Sequence, residues 1–75
     1  RLYEARDACL AKNAIPADTA NSDVASTAKA VSLSCAPETD RLIIASNPDR
    51  DPKVAAAIRN DTNKRAMLYV MRARR

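Results

Sequence analysis

None of the 75 residues is glycine, and that omission constrains the fold more than any motif present. Glycine enters positive φ at no steric cost, and primed hairpin turns, many helix C-caps and phosphate-cradling loops depend on it. A chain without it is poorly suited to β-hairpins and carries no Gly-rich nucleotide loop. Its turns must be made by its 4 prolines and by asparagine, and its abundant alanine favours helix. Period-2 alternation of apolar residues is also missing. These observations predict an all-α chain with no sheet: one small domain over 1–75, a bundle of three to four helices.

The clearest helical stretch is Ser22 to Cys35. Val24, Ala28, Val31 and Cys35 follow at spacings of four, three and four, which places them on one face. Ser26, Lys29 and Ser32 lie off that face. Ser22 is the expected N-cap, with Asp23 in the positive first turn. Upstream, Leu2 to Lys12 reads as helix 1, with Leu2, Ala5 and Cys9 on one face and Tyr3 and Leu10 adjoining it. Glu4, Arg6, Asp7 and Lys12 are expected outside that face. Residues Asn13 to Asn21, with Pro16, Asp18 and Asn21, form the connection.

Pro37 suits the first position of helix 3, with Glu38 and Asp40 in its acidic first turn and Leu42, Ile43 and Ile44 as its apolar body. Ser46 to Arg50 reads as a loop. Asp51-Pro52 is a strong restart, an acidic N-cap followed by proline at the first helical position. Helix 4 then runs towards the chain end. Val54, Ile58 and Leu68 are expected on a broad face, and the weak helix formers Asn60 to Asn63 are expected to kink or fray. The organisation is thus 1–46, helices carrying both cysteines, and 52–75, a basic C-terminal helix.

Cys9 and Cys35 fall on the expected inward faces of helices 1 and 2. If those helices run antiparallel with the cysteines level, helix 2 starts an axial distance of ~15 Å beyond the end of helix 1. The connection spans that gap easily at up to ~3.3 Å per residue. A Cys9–Cys35 disulfide crosslinking the first two helices is therefore expected, worth about 3.5 kcal/mol in the chain-entropy model. The alternative is two reduced thiols in a cytosolic chain. No Cys-x-x-Cys spacing points to a redox pair. A disulfide implies an oxidising compartment, periplasmic or extracellular. Such a staple suits a thin core, for the chain has no Phe, no Trp and 2 Tyr.

The chain has no histidine, which removes Ser-His-Asp and Cys-His catalysis and the commonest zinc ligand. No nucleophile–base pair is visible, and no catalytic residue, metal site or cofactor is expected; the chain is read as not an enzyme. Asp40, Asp49, Asp51 and Asp61 read as caps and turns, since the Asn47 to Asp51 stretch lacks the glycine and distal glutamate of an EF-hand loop. Asn60-Asp61-Thr62 fits a glycosylation sequon, a frequent triplet. No stretch approaches the roughly 20 apolar residues that span a bilayer. The chain opens at Arg1 without an initiator Met, so the expectation is that an upstream segment has been removed or that an ordered part is present.

The candidate binding segment is Met67, Leu68, Tyr69, Val70 and Met71. Five consecutive apolar residues cover more than a full helical turn, and so small a chain covers one side of it. The remainder is expected to dock on another protein chain, a copy or a larger partner. Lys64, Arg65, Arg72, Arg74 and Arg75 form the expected basic rim. The alternative is that this basic helix binds nucleic acid or an anionic surface, in which case affinity falls steeply with salt.

The order Cys9, Val24-Ala25, Ala28, Val31 and Cys35, followed by Pro37-Glu38, resembles small exported proteobacterial proteins with two cysteines on consecutive helices. The resemblance covers about the first half of the chain and leaves helix 4 outside it. No general activity attaches to that group. What it implies here is a cleaved signal peptide and a periplasmic or secreted location, with the chain as a binding or accessory module of an exported assembly.

Overall fold

The computed structural model describes residues 1–15 and 23–74. Four helices account for most of them: α1 (Leu2–Ala14), α2 (Val24–Ser34), α3 (Ala36–Ser46) and α4 (Pro52–Ala73). No strand occurs among the described residues.

The helix starts follow from acidic caps. Asp51 accepts from the Lys53 backbone N–H at 2.9 Å, with Pro52 at the first helical position, where its missing N–H costs nothing. Asp23 accepts from the Ser26 N–H at 3.0 Å and is the N-cap of α2. The cap was expected at Ser22, which lies outside the described residues; Asp23, one position later, does the work. The expected turn residues Pro16, Asp18 and Asn21 are also outside them.

The expected end of helix 2 and the expected crosslink both need correction. Cys35 is not the last residue of a helix body but the joint between two helices. Its N–H reaches the Val31 and Ser32 carbonyls at 3.2 Å each, and its φ of −104° and ψ of 20° leave the helical region. Pro37 sits in the first turn of α3, so that helix begins at once. The Cys9–Cys35 disulfide, with 5.9 Å between Cα atoms, therefore ties α1 to the head of α3 rather than to the body of α2.

The buried stripe of α1 is Arg6, Leu10 and Ala14, each four residues apart. The expected face of Leu2, Ala5 and Cys9 is rotated from it: Leu2 and Ala5 are exposed and Cys9 is half-buried. Arg6, expected outside, is fully buried. Asn13 belongs to α1 rather than to the connection. In α3 the apolar triplet divides, since successive residues step about 100°: Leu42 and Ile43 are buried while Ile44 is 75 % exposed. In α2, Ala28, Val31 and Cys35 are buried as expected, with Val24 packed against them.

Helix α4 is unbroken through Asn60 to Asn63. Its buried stripe is Ile58, Thr62, Ala66 and Val70, and Thr62 stabilises its own position by donating to the Ile58 carbonyl at 2.7 Å. Leu68 lies away from this stripe, not with Ile58 as expected. Twenty-two residues give α4 a length of about 33 Å. The broken rod α2–α3, with 11 residues in each half, matches that length and runs against it. Arg74 near the end of α4 meets Thr27 near the start of α2. At the other end, Leu42 and Ile43 of α3 pack on Ile58 and Val54 of α4. Helix α1 runs parallel to α4, since Arg6 meets Asp61 and Thr62 while Asp7 meets Arg65.

The turn from α3 to α4 is built without glycine. Asn47 is buried; its Nδ2 donates to the Asp51 carbonyl at 2.8 Å and its Oδ1 accepts from the Asp51 N–H at 2.9 Å. Arg50 takes the left-handed conformation, φ 54°, that glycine ordinarily supplies.

Candidate functional site

The apolar segment of α4 divides into core and surface. Val70 is 0 % exposed and belongs to the larger apolar cluster with Leu10, Ala14, Ala28, Val31, Cys35 and Ala66. Met67 and Tyr69 are partly buried against that cluster. Leu68 and Met71 remain 48 % and 42 % exposed. They are three residues apart, so they meet on the outer surface of α4. Lys64 and Arg72 stand four residues on either side of Leu68, both exposed.

The basic rim is already engaged in large part. Arg65 reaches Asp7 and Asp61, each at 3.4 Å. The Arg72 guanidinium lies over the Tyr69 ring, 5.7 Å from its centroid, within cation–π range. Arg74 donates to the Thr27 hydroxyl at 3.1 Å. Arg75 lies outside the described residues. A cation already committed to an internal partner gives less to a phosphate, which weighs against the nucleic-acid alternative.

A feature not expected from the sequence is a buried arginine with two part-exposed counter-ions between α1 and α4. Arg6 Nε and Nη2 contact Asp7 Oδ1 at 3.1 and 3.0 Å. Its Nη1 contacts Asp61 Oδ2 at 3.0 Å and Thr62 Oγ1 at 3.1 Å. Its guanidinium carbon also lies 5.0 Å from the centroid of the Tyr3 ring. Asp61, expected as a cap or turn residue, is thus a mid-helix counter-ion, and the Asn60 sequon sits in the body of α4 with Thr62 buried. The available signal was an arginine four residues before Leu10, in line with Ala14. The network, with buried Thr39 and Thr62, separates the larger cluster from a smaller one of Leu42, Ile43 and Ile58.

A recess of about 190 Å³ is lined by Lys29, Ser32, Thr39, Asp40, Arg59 and Thr62 among others. Ser32 was expected off the inward face of its helix; its hydroxyl is buried and has no hydrogen-bond partner among the described residues. A separate open recess borders Cys9. Among the described residues no group of His, Cys, Asp and Glu is arranged to hold a metal ion. No helix is long and apolar enough to cross a membrane among them. Compared with protein-family models, with curated proteins and with solved structures, the chain matches none.

Proposed function

We propose that this chain is a non-enzymatic, disulfide-stapled module that binds another protein within an exported or periplasmic assembly, through Leu68 and Met71 on the outer surface of α4. The observation that carries this reading is the exposure of these two large apolar side chains on a helix whose other side is core. Lys64 and Arg72 frame them, so the fitting partner presents an apolar groove with an acidic border. A second copy of the chain fits less well, because equivalent basic borders would face each other and each chain carries a net charge of +4. The Cys9–Cys35 bridge supports an oxidising compartment. The non-enzymatic reading rests on residue chemistry: there is no histidine, and the buried Arg6 guanidinium is engaged by Asp7, Asp61 and Thr62.

The test starts with a photo-crosslinker at position 68 in the native extract and a control at exposed Ala56. The expected product forms at 68 and not at 56. The captured chain, once purified, should bind wild type and lose about tenfold or more in affinity to Leu68→Asp, with circular dichroism unchanged. Leu68 is the right probe because Tyr69 packs against the core. Equal affinity for Leu68→Asp rules the surface out. Affinity that instead collapses with salt and extends to DNA or anionic vesicles favours the alternative reading.

A further inference from the structure

The two sulfurs of the Cys9–Cys35 bridge differ in access. Cys35 is fully buried within the larger apolar cluster. Cys9 is half-buried and forms part of the wall of an open recess of about 450 Å³, together with Lys12, Asn13, Ser34 and Glu38. Cys35 does not line that recess. A nucleophile arriving from solvent therefore meets the Cys9 sulfur first.

One side-chain amide on the same recess reaches both sulfurs. Asn13 Nδ2 donates to the Cys9 carbonyl at 2.8 Å and also lies 3.5 Å from Cys9 Sγ and 3.7 Å from Cys35 Sγ. Cys35 is both the C-cap of α2 and the N-cap of α3, so the opposed poles of the two helices offset each other there, and the Asn13 amide is the polar group left to receive a Cys35 thiolate. Among charged groups on the recess, Lys12 assists an incoming thiolate and Glu38 opposes it.

We propose that Cys9 is a reversible thiolation site: a low-molecular-weight thiol of the glutathione class attacks Cys9 Sγ and expels Cys35 as a thiolate. The attacking thiolate and Cys9 form a new sulfur–sulfur bond. The Cys9–Cys35 bond breaks and its electron pair goes to Cys35, where the Asn13 amide, 3.7 Å from that sulfur, receives it. One disulfide is consumed and one is made, so no external oxidant or reductant is needed. Attack by Cys35 on the Cys9 adduct releases the small thiol and restores the bridge. A more stable leaving thiolate speeds such exchange. This inference is independent of the docking surface on α4.

The test uses the oxidised full chain with reduced glutathione over a range of concentrations. Samples are acid-quenched, free thiols alkylated, and the Cys9 and Cys35 peptides separated by digestion and weighed. The expected result is glutathione on Cys9 and the alkyl group on Cys35. The rate should be first order in thiol while circular dichroism stays native. Asn13→Leu should slow the step by about threefold or more. Glutathione found on Cys35 or spread evenly overturns the proposal. So does a rate that plateaus at the global unfolding rate, or one that Asn13→Leu leaves unchanged. If Asn13→Leu does not fold, the adduct position and concentration dependence in wild type decide the matter.

Discussion

Removing Arg6 and removing its acids are unequal perturbations. In Arg6→Met the carboxylates of Asp7 and Asp61, with side chains 25 % and 47 % exposed, return to water. Thr62 keeps its bond to the Ile58 carbonyl, and the methionine fills much of the vacated space. The loss is then a few neutral or solvent-screened contacts of about 0.5–1 kcal/mol each, offset in part because no charge is desolvated. The net cost should be about 1–2 kcal/mol. Asp7→Asn combined with Asp61→Asn keeps the guanidinium buried and removes both counter-charges, which costs about 3–5 kcal/mol. A chain of 75 residues has about 4–11 kcal/mol in total, so the acid-free variant should sit near the edge of stability. Urea titrations followed by far-UV circular dichroism, with the disulfide intact in every variant, measure both. The triple variant should recover about 2–3 kcal/mol of the acid-free loss, a coupling well beyond additivity. If Arg6→Met costs more than the acid pair, or if the triple variant is additive, the account of Arg6 as a buried charge needing compensation is wrong.

Four further outcomes concern the disulfide, the α3–α4 turn and the α2 cap. Cys35→Ser, which opens a loop of sequence separation 26, should lower stability by about 3.5 kcal/mol in urea titration. Asn47→Ala removes both bonds to Asp51 and should cost about 1–3 kcal/mol, whereas Arg50→Gly relieves a left-handed residue and should stabilise by about 0.5–1 kcal/mol. Asp23 is held below its ordinary 3.8, first by the Ser26 side chain and then by the Ser26 N–H. Its capping contribution is therefore complete above that value and is lost as pH falls through the lowered one. Amide exchange at Ser26 should rise in that acid range for wild type and show no such step in Asp23→Asn.

Local chemistry made the helices legible. The Asp51-Pro52 start, the α2 face of Ala28, Val31 and Cys35, and the pairing of the two cysteines were readable because each depends on neighbours within a few residues or on a single bond type. The α1 face was not. Its alanines give little contrast, and a charged residue is excluded from a core face unless its counter-ions are known. Those of Arg6 are adjacent Asp7 and distant Asp61, and the second cannot be found from the periodicity of α1. The joint at Cys35 was misplaced for a related reason: the same residue fits the end of one amphipathic stripe and the cap of the next helix. In the candidate docking segment, five apolar residues in a row could be read as excess apolar surface, but which of them face outward depends on the stripe from Ile58 to Val70. That stripe includes Thr62, a polar residue that periodicity does not select.

The order in which groups become available along the chain bears on how this fold is reached. Both cysteines lie within the first 35 residues, whereas the counter-ion Asp61 and the hydroxyl of Thr62 come from the last helix. Oxidation can thus close the bridge before α4 has been made, leaving the cluster around Leu10, Val31 and Cys35 with no lid from Ala66 and Val70. Until then Arg6 has one of its two counter-ions, the adjacent Asp7, and its burial would be compensated only in part. A residue whose counter-ions are divided between the first and the last helix thereby makes the packing of α1 and α4 depend on each other.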